Sequence, residues 1–455
     1  LAQPTNSLIG LSLKIYNLYM NILSTIRFLS AFALPTLLCS CNSFQPSQES
    51  PAMVPAEMME ARGELAMGTK PFQGIPSIAV SKSGKRVFLA WYGNAKTECP
   101  GNYIMVAYGD GNKWKNKVDM VVRSPHMNEV RLFDPCLWRA PDDSIWLFWA
   151  QSEGKYTNKE WLWSIDPNGK GQWDRKGGVW YSICRNPEGE KPLWSAPRRL
   201  CDGVMMNKPI VLKNGKWAYP VCRFQMENIN DLDSAKEGAL LYVSDPGAKN
   251  LELINCVKIP FVPFTEHMFV EKLDENIWLL SRTQPDWTIA RQGPKSAAQI
   301  TYGNDGILEA FSNDGGKTFG EVKAAAIPHC GSRFHISRLK SGNLLLVKND
   351  ADDEQWMSGK PRGPENLRSY PRKKIMAYIS QDDGKTWKGG LEIDGRADVS
   401  YPDAAQDENG NIYICYDFSR YGKRQICVAQ VNEKDILDRR TGISSDNVQI
   451  ANQRP

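Results

Sequence analysis

Apolar residues in this chain come in short runs closed by turn residues, not at the three-to-four spacing of an amphipathic helix. The runs are rich in β-branched and aromatic side chains, which suit a pleated strand. Six segments repeat this grammar. The first holds runs at 75–80 and 87–92; the second at 134–138, 145–150, 180–184 and 194–197; the third at 209–212, 217–222 and 239–244. The fourth starts at Glu266, the fifth at Gly331, and the sixth at Tyr401 with further runs at 412–416 and 425–431. Tight-turn sequences recur between runs: Lys82-Ser83-Gly84-Lys85, Lys213-Asn214-Gly215, Lys340-Ser341-Gly342-Asn343 and Asp407-Glu408-Asn409-Gly410. Their glycines supply the positive φ that a hairpin turn demands. The pattern predicts an all-β protein of antiparallel strands, with a short helix over Glu433 to Arg440.

Two turns are near copies. Ser380-Gln381-Asp382-Asp383-Gly384-Lys385-Thr386-Trp387 follows a strand-like run, and so does Ser312-Asn313-Asp314-Gly315-Gly316-Lys317-Thr318-Phe319. Tyr108-Gly109-Asp110-Gly111-Asn112-Lys113-Trp114 is a worn third copy. In such a turn the aspartate accepts backbone N–H groups, glycine takes positive φ, and the aromatic residue packs back under the hairpin. A sequence repeated after equivalent strands marks a repeat architecture. The motif resembles the Asp-box, or BNR repeat, of sialidases and related β-propellers. That resemblance implies a six-bladed β-propeller of four-stranded antiparallel blades over residues 71–432. It also implies an architectural role for the boxes themselves. Ring closure calls for a shared blade, completed by the N-terminal strand or by the segment near 425–431.

Composition narrows the reading. Trp, Tyr and Phe number 15, 16 and 15 among 455 residues, and the net charge is +5. No basic stripe is interleaved with aromatics, which argues against a nucleic-acid partner. Scattered arginines at strand ends suit a small anionic ligand. Residues 20–41 carry a short basic stretch, an apolar run too short to span a membrane, and Leu38-Cys39-Ser40-Cys41. This stretch resembles a bacterial lipoprotein signal with Cys41 as the lipidated residue. It implies a periplasmic or cell-surface protein that meets the membrane only through a lipid anchor. Residues 1–19 read as an upstream extension, 42–70 as a flexible tether, and 433–455 as a C-terminal tail. The cysteines beyond Cys41 have irregular spacing and apolar neighbours, so most read as buried thiols. The four histidines are too dispersed to form a metal site, and no phosphate-binding loop is present; no cofactor is expected. A monomer is expected.

The resemblance to exo-sialidases becomes specific at a few positions. Glu266 precedes a hairpin that ends at Arg282; by resemblance, Glu266 is the base for a tyrosine and Arg282 one arm of a carboxylate-gripping arginine cluster. Arg372 stands at the start of the strand leading into the second box, where sialidases carry another such arm. Tyr401, in Val399-Ser400-Tyr401-Pro402-Asp403, resembles the nucleophilic tyrosine opening the last blade. A tyrosine needs a nearby base because its pKa near 10 leaves it protonated at neutral pH. The chain also departs from the pattern. Phe72-Gln73-Gly74-Ile75-Pro76 has Gly74 where sialidases begin with Arg-Ile-Pro. The acid/base aspartate has no clear match; Glu98 and Asp134 are the nearest candidates, Asp134 also as a substrate-binding residue. Arg333 and Arg420 are further anion-binding candidates, and strand alternation aims Arg333 and His335 the same way. The expectation is a sialidase-like retaining exo-glycosidase acting on terminal acidic sugars. The rivals are a glycosidase or lyase on another sugar such as a uronic acid, and a non-catalytic glycan-binding propeller.

Overall fold

The structure is a computed structural model. It describes residues 50–453 except 68–69, 112–113, 154, 157–160, 163–177, 224–237, 260–264, 284–305, 352, 359–370 and 440–447. Cys41 and the rest of the signal segment lie outside the described residues. Six antiparallel sheets of four or five strands follow one another along the chain, with a small two-stranded sheet, Lys155–Tyr156 and Trp161–Leu162, falling in sequence between two strands of the second. Blade I comprises Gln73–Val80, Val87–Gly93, Tyr103–Gly109 and Met120–Arg123. Blade II comprises Val130–Arg139, Ile145–Glu153, Gly178–Cys184 and Arg198–Cys201. Blade III comprises Ile210–Val211, Trp217–Arg223, Gly238–Asp245 and Lys249–Val257. Blade IV comprises Met268–Glu271, Ile277–Arg282, Ile307–Ser312 and Lys323–Ala324. Blade V comprises His335–Arg338, Leu344–Asn349, Lys373–Ser380 and Lys388–Ala397. Blade VI comprises Val399–Gln406, Asn411–Phe418, Gln425–Asn432 and Val448–Gln453.

The first strands of adjacent blades pack on one another around the axis, so these strands line the channel. Burial explains their sequence. Every residue of Gln73–Val80 is buried, because both faces meet neighbouring blades, and apolar residues run on without alternation. The outer strand Lys249–Val257 is mostly exposed or half-buried and reads as polar sequence. Blades II and III are joined by an aromatic seam, in which Trp217 meets Trp138 and Trp146 edge-on at centroid distances of 4.9 and 5.4 Å. Such pairs contribute about 0.5–1.5 kcal/mol beyond their buried area.

Both boxes form the expected turn. In the second, Asp382 Oδ1 accepts from Ser380 Oγ and the Thr386 N–H, each at 2.8 Å, and Gly384 has φ +89°. In the first, Asp314 binds Ser312 Oγ at 2.8 Å and the Thr318 N–H at 2.9 Å. Phe319 and Trp387 pack back on the blade cores. The boxes join third to fourth strands.

Three expectations about the chain ends are corrected. Residues 42–70 are not a tether throughout: Glu57–Glu60 adds a fifth strand to blade I, pairing with Met120–Arg123. Ala52 is fully buried, and Gln151 Nε2 donates to the Ala52 and Val54 carbonyls. An unpaired blade edge is a ready template for such a strand. The C-terminal tail likewise contains a strand, Val448–Gln453, which pairs with Gln425–Asn432. No blade is therefore shared. The ring closes by side-chain contacts between blades I and VI: Gln73 Nε2 donates to the Arg424 carbonyl at 2.6 Å and to Asn452 Oδ1 at 3.2 Å. The short helix is present as Glu433–Leu437, with a capping box between Asn432 and Asp435.

Candidate functional site

Strand direction sorts the candidate residues. In each blade the first strand begins, and the second ends, at the same mouth of the channel. Tyr401 is the third residue of one first strand and Asp134 the fifth of another, and Glu266 and Arg333 lie just before first strands. Arg282 ends a second strand, Glu98 and Arg420 lie between second and third strands, and Arg372 precedes a third. All eight converge on one mouth. The turns that carry the boxes leave from the opposite one.

Local backbone explains how three first strands aim a side chain inward. The ladders of blades I, II and VI slip between Gly74 and Ser77, Phe133 and Cys136, and Ser400 and Asp403. At each slip one residue takes positive φ: Ile75 at +57°, Asp134 at +50° and Tyr401 at +56°. Each is followed by proline, which has no N–H to give the ladder and so fits a bulge. Glu266, at φ +37°, sits at the corresponding place before the first strand of blade IV. Left-handed backbone at non-glycine residues is costly and clusters where a side chain must be held in one pose.

Three side chains meet at the centre. The Tyr401 hydroxyl donates to Glu266 Oε1 at 2.9 Å and accepts from Arg282 Nη1 at 2.6 Å. Arg282 Nη1 also pairs with Glu266 Oε2 at 2.5 Å, closing a triangle. All three are buried. Burial, opposed by Arg282 and reinforced by Glu266, pushes the Tyr401 phenol up to about 12. It therefore remains a phenol at neutral pH, with a carboxylate already accepting its hydrogen. Burial opposes the charge on Arg282, but Glu266 and Tyr401 hold its pKa above the ordinary arginine value.

Guanidinium groups surround the tyrosine ring. The carbon of Arg420 lies 4.1 Å from the ring centroid, that of Arg372 5.2 Å and that of Arg282 6.0 Å. Arg372 donates to the Gly331 carbonyl at 2.9 Å. Among the described residues no carboxylate lies within ion-pair distance of Arg372. Arg420 Nε pairs with Asp417 Oδ2 at 2.7 Å.

Glu98 and Asp134 differ sharply. Glu98 is bound to Arg131 Nη2 at 3.0 Å and stands 3.7 Å from Arg420 Nη1. Burial alone would raise its carboxyl, but Arg131 and then Arg420 hold it below the usual range. Asp134 is driven the other way, to about 7: burial dominates, Arg131 opposes it, and Glu266 and Glu98 repel its charge. Asp134 thus keeps its proton to far higher pH than Glu98 does.

Arg333 has a different task from the one expected. It is 1% exposed and donates to the carbonyls of Met206, Pro76 and Tyr401 at 3.2, 2.6 and 3.0 Å. It clasps three blades beneath the tyrosine instead of facing a ligand. His335 lies deeper on the same side, with Nδ1 2.9 Å from Asp403 Oδ1. Asp403 also accepts from Lys208 Nζ and Ser77 Oγ, each at 2.6 Å. This buried network ties blades I, III, V and VI together below the site. Sequence reasoning missed it, together with Arg131 and Asp417. The recurring X-Pro pairs at Ile75-Pro76, Asp134-Pro135 and Tyr401-Pro402 were a legible signal for the mouth. No comparable signal marked the network.

Among the described residues no group of three or more His, Cys, Asp or Glu side chains is placed to hold a metal ion. No described helix is long and apolar enough to cross a membrane. Cys99, Cys136, Cys184, Cys201, Cys222, Cys330, Cys415 and Cys427 are buried free thiols.

Residues 85–414 match the family model described as BNR repeat-like domain. Several solved structures share the fold. A protein of unknown function from Dyadobacter fermentans is 18% identical, with a TM-score of 0.54 over 84% of this chain and 99% of that one. The intramolecular trans-sialidase of Ruminococcus gnavus, in complex with oseltamivir carboxylate, is 14% identical, with a TM-score of 0.53 over 85% and 99%. Trypanosoma rangeli sialidase, in complex with sialic acid, is 13% identical, with a TM-score of 0.50 over 77% of this chain and 52% of that one. No curated protein matches the chain.

Proposed function

Starting from a chain that belongs to the BNR repeat-like domain family, we propose a retaining exo-glycosidase that removes terminal acidic sugars, with Tyr401 as nucleophile and Glu266 as its base. The observation that carries this reading is the hydrogen bond from the Tyr401 hydroxyl to Glu266 Oε1 at 2.9 Å. It links blades IV and VI at the mouth where the arginines gather. The sialidases of the same fold, one of them in complex with sialic acid, lend it support.

Chemically, the phenol oxygen attacks the anomeric carbon as its proton passes to Glu266, and the glycosidic C–O bond breaks. A neutral nucleophile avoids repulsion from a substrate carboxylate. The departing oxygen takes a proton from a carboxylic acid at the mouth; of the two candidates Asp134 keeps its proton to higher pH, whereas Arg131 and Arg420 favour the ionised form of Glu98. Water then attacks the anomeric carbon, giving its proton to the carboxylate that served as the acid, while the bond from that carbon to the Tyr401 oxygen breaks and the phenol oxygen takes its proton back from Glu266, releasing the sugar. Arg282 stays hydrogen-bonded to the phenol oxygen and buffers the change of charge on Glu266. This is the tyrosine variant of the two-carboxylate mechanism.

The test is a fluorinated acidic sugar that forms a glycosyl-enzyme and turns it over slowly. Peptide mass mapping should place the adduct on Tyr401. Turnover of acidic glycosides with the label on another side chain, or with no covalent intermediate, would overturn the assignment. Binding of acidic glycans with no turnover across a panel would leave a binding protein.

A further inference from the structure

Gly74 stands where a first-blade arginine would be expected, and the structure shows what occupies the space. A Cβ built on Gly74 would lie 2.7 Å from Arg420 Cγ, 2.9 Å from Cδ and 3.0 Å from Nε. No side chain fits at position 74 while Arg420 stays where it is. Arg420 comes from blade VI, and its stem runs across the bare Gly74 backbone.

Its pose is built, not incidental. Asp417 Oδ2 accepts from Arg420 Nε and from the Ile75 N–H, both at 2.7 Å. Asp417 Oδ1 accepts from Ser400 Oγ at 2.7 Å, and Ser400 Oγ in turn accepts from Arg420 Nη2 at 3.2 Å. One carboxylate thus fixes the arginine, the bulge beside Gly74 and the residue before Tyr401. Arg420 is 8% exposed, and its guanidinium covers the Tyr401 ring. Nη1 stands 3.7 Å from Glu98 Oε1, beyond hydrogen-bond reach.

We propose that Arg420 is the third arm of the anion clamp at this mouth, delivered from blade VI through the opening left by Gly74, and that the Gly74–Arg420 pair sets selectivity for a sugar carboxylate. The proposal rests on the acidic-sugar reading above. Arg282 is already paired with Glu266, and Arg420 with Asp417. Among the described residues Arg372 is the arm with no carboxylate at ion-pair distance, while Arg420 supplies a second, rigid donor edge. A guanidinium locked by a carboxylate behind it binds an anion with little ordering cost.

The experiment measures binding, not turnover. The full chain is titrated with N-acetylneuraminic acid and with glucuronic acid, each against its methyl ester. Wild type should prefer one acid over its ester. Arg420→Met keeps the stem and removes the donors, so the acid-to-ester preference should fall about tenfold or more. Gly74→Ala retains Arg420 yet should lower the preference in the same direction, because the new Cβ displaces the stem. Gly74→Arg combined with Arg420→Met should recover part of it. Thermal melts check folding, and Gly74→Ala carries the test where Arg420→Met does not fold. A wild-type preference left intact by both single variants overturns this inference alone. Equal binding of acid and ester by wild type overturns it together with the acidic-sugar reading.

Discussion

Replacing Tyr401 by Phe separates chemistry from architecture more cleanly than any other change in this molecule. The ring stays, with its arginine neighbours, and only the hydroxyl is lost. That hydroxyl makes two hydrogen bonds, at 2.9 Å to Glu266 and 2.6 Å from Arg282. Hydrogen bonds to charged groups contribute about 1.5–3 kcal/mol each. The loss is partly offset, because Glu266 and Arg282 remain paired at 2.5 Å and neither ion is stranded. The expected net cost is about 1–2 kcal/mol, or a few degrees in melting temperature. Catalysis should suffer far more. Removing a nucleophile costs roughly 10³-fold or more in kcat, upwards of about 4 kcal/mol in the barrier. Glu266→Gln added to Tyr401→Phe should lower the rate little further, since residues that act as a unit are not additive. By itself, Glu266→Gln should cost about 3–5 kcal/mol of stability, because it leaves Arg282 buried without its carboxylate. The assays are steady-state hydrolysis of an acidic aryl glycoside and thermal unfolding on the same preparations. Wild-type turnover by Tyr401→Phe refutes the nucleophile. Lost turnover together with a collapsed melting transition refutes the claim that the hydroxyl acts in chemistry and not in packing.

Asp134 should make stability depend on pH in a defined direction. Its folded pKa of about 7 exceeds the unfolded value of 3.8, so its contribution is fully present below about pH 4 and is lost as pH rises through about 7. Asp134→Asn should therefore gain stability relative to wild type at pH 8 but not at pH 5; a difference that is the same at both values, from denaturant midpoints, contradicts the buried neutral acid. Asp382→Ala removes the acceptor for Ser380 Oγ and the Thr386 N–H and should cost about 1–2 kcal/mol with activity per folded molecule unchanged; loss of activity at an unchanged melting temperature refutes the architectural role of the box. Cys41→Ser should abolish lipid labelling and release the protein from membrane fractions, and unchanged fractionation counts against a lipoprotein.

The sequence by itself carried the repeat. Strand-like runs, glycine turns and two Asp-boxes are local features whose physics is complete within a few residues, so six blades were legible before any coordinates. The inner strands were the most readable, because burial on both faces makes them continuously apolar. Outer strands such as Lys249–Val257 and Val448–Gln453 were not, because one face meets solvent and their composition resembles a loop. For the same reason residues 57–60 passed as tether: Glu57-Met58-Met59-Glu60 becomes a strand only because blade I offers an open edge. At the mouth, resemblance named Tyr401, Glu266, Arg282 and Arg372, but sequence had no means of bringing Glu266 and Arg282 of blade IV within hydrogen-bond reach of Tyr401 in blade VI. Tertiary structure decided three further matters. It turned Arg333 from a ligand-facing arm into a clasp for three carbonyls. It set Glu98 and Asp134 on opposite sides of the ordinary carboxyl pKa: Arg131 and Arg420 hold Glu98 down against its burial, whereas burial, with Glu266 and Glu98 nearby, drives Asp134 up. It also put Arg420 in the space beside Gly74, which as a sequence feature was only a missing arginine. Each of these depends on distances between residues far apart in the chain, and such distances exist only once the ring has closed.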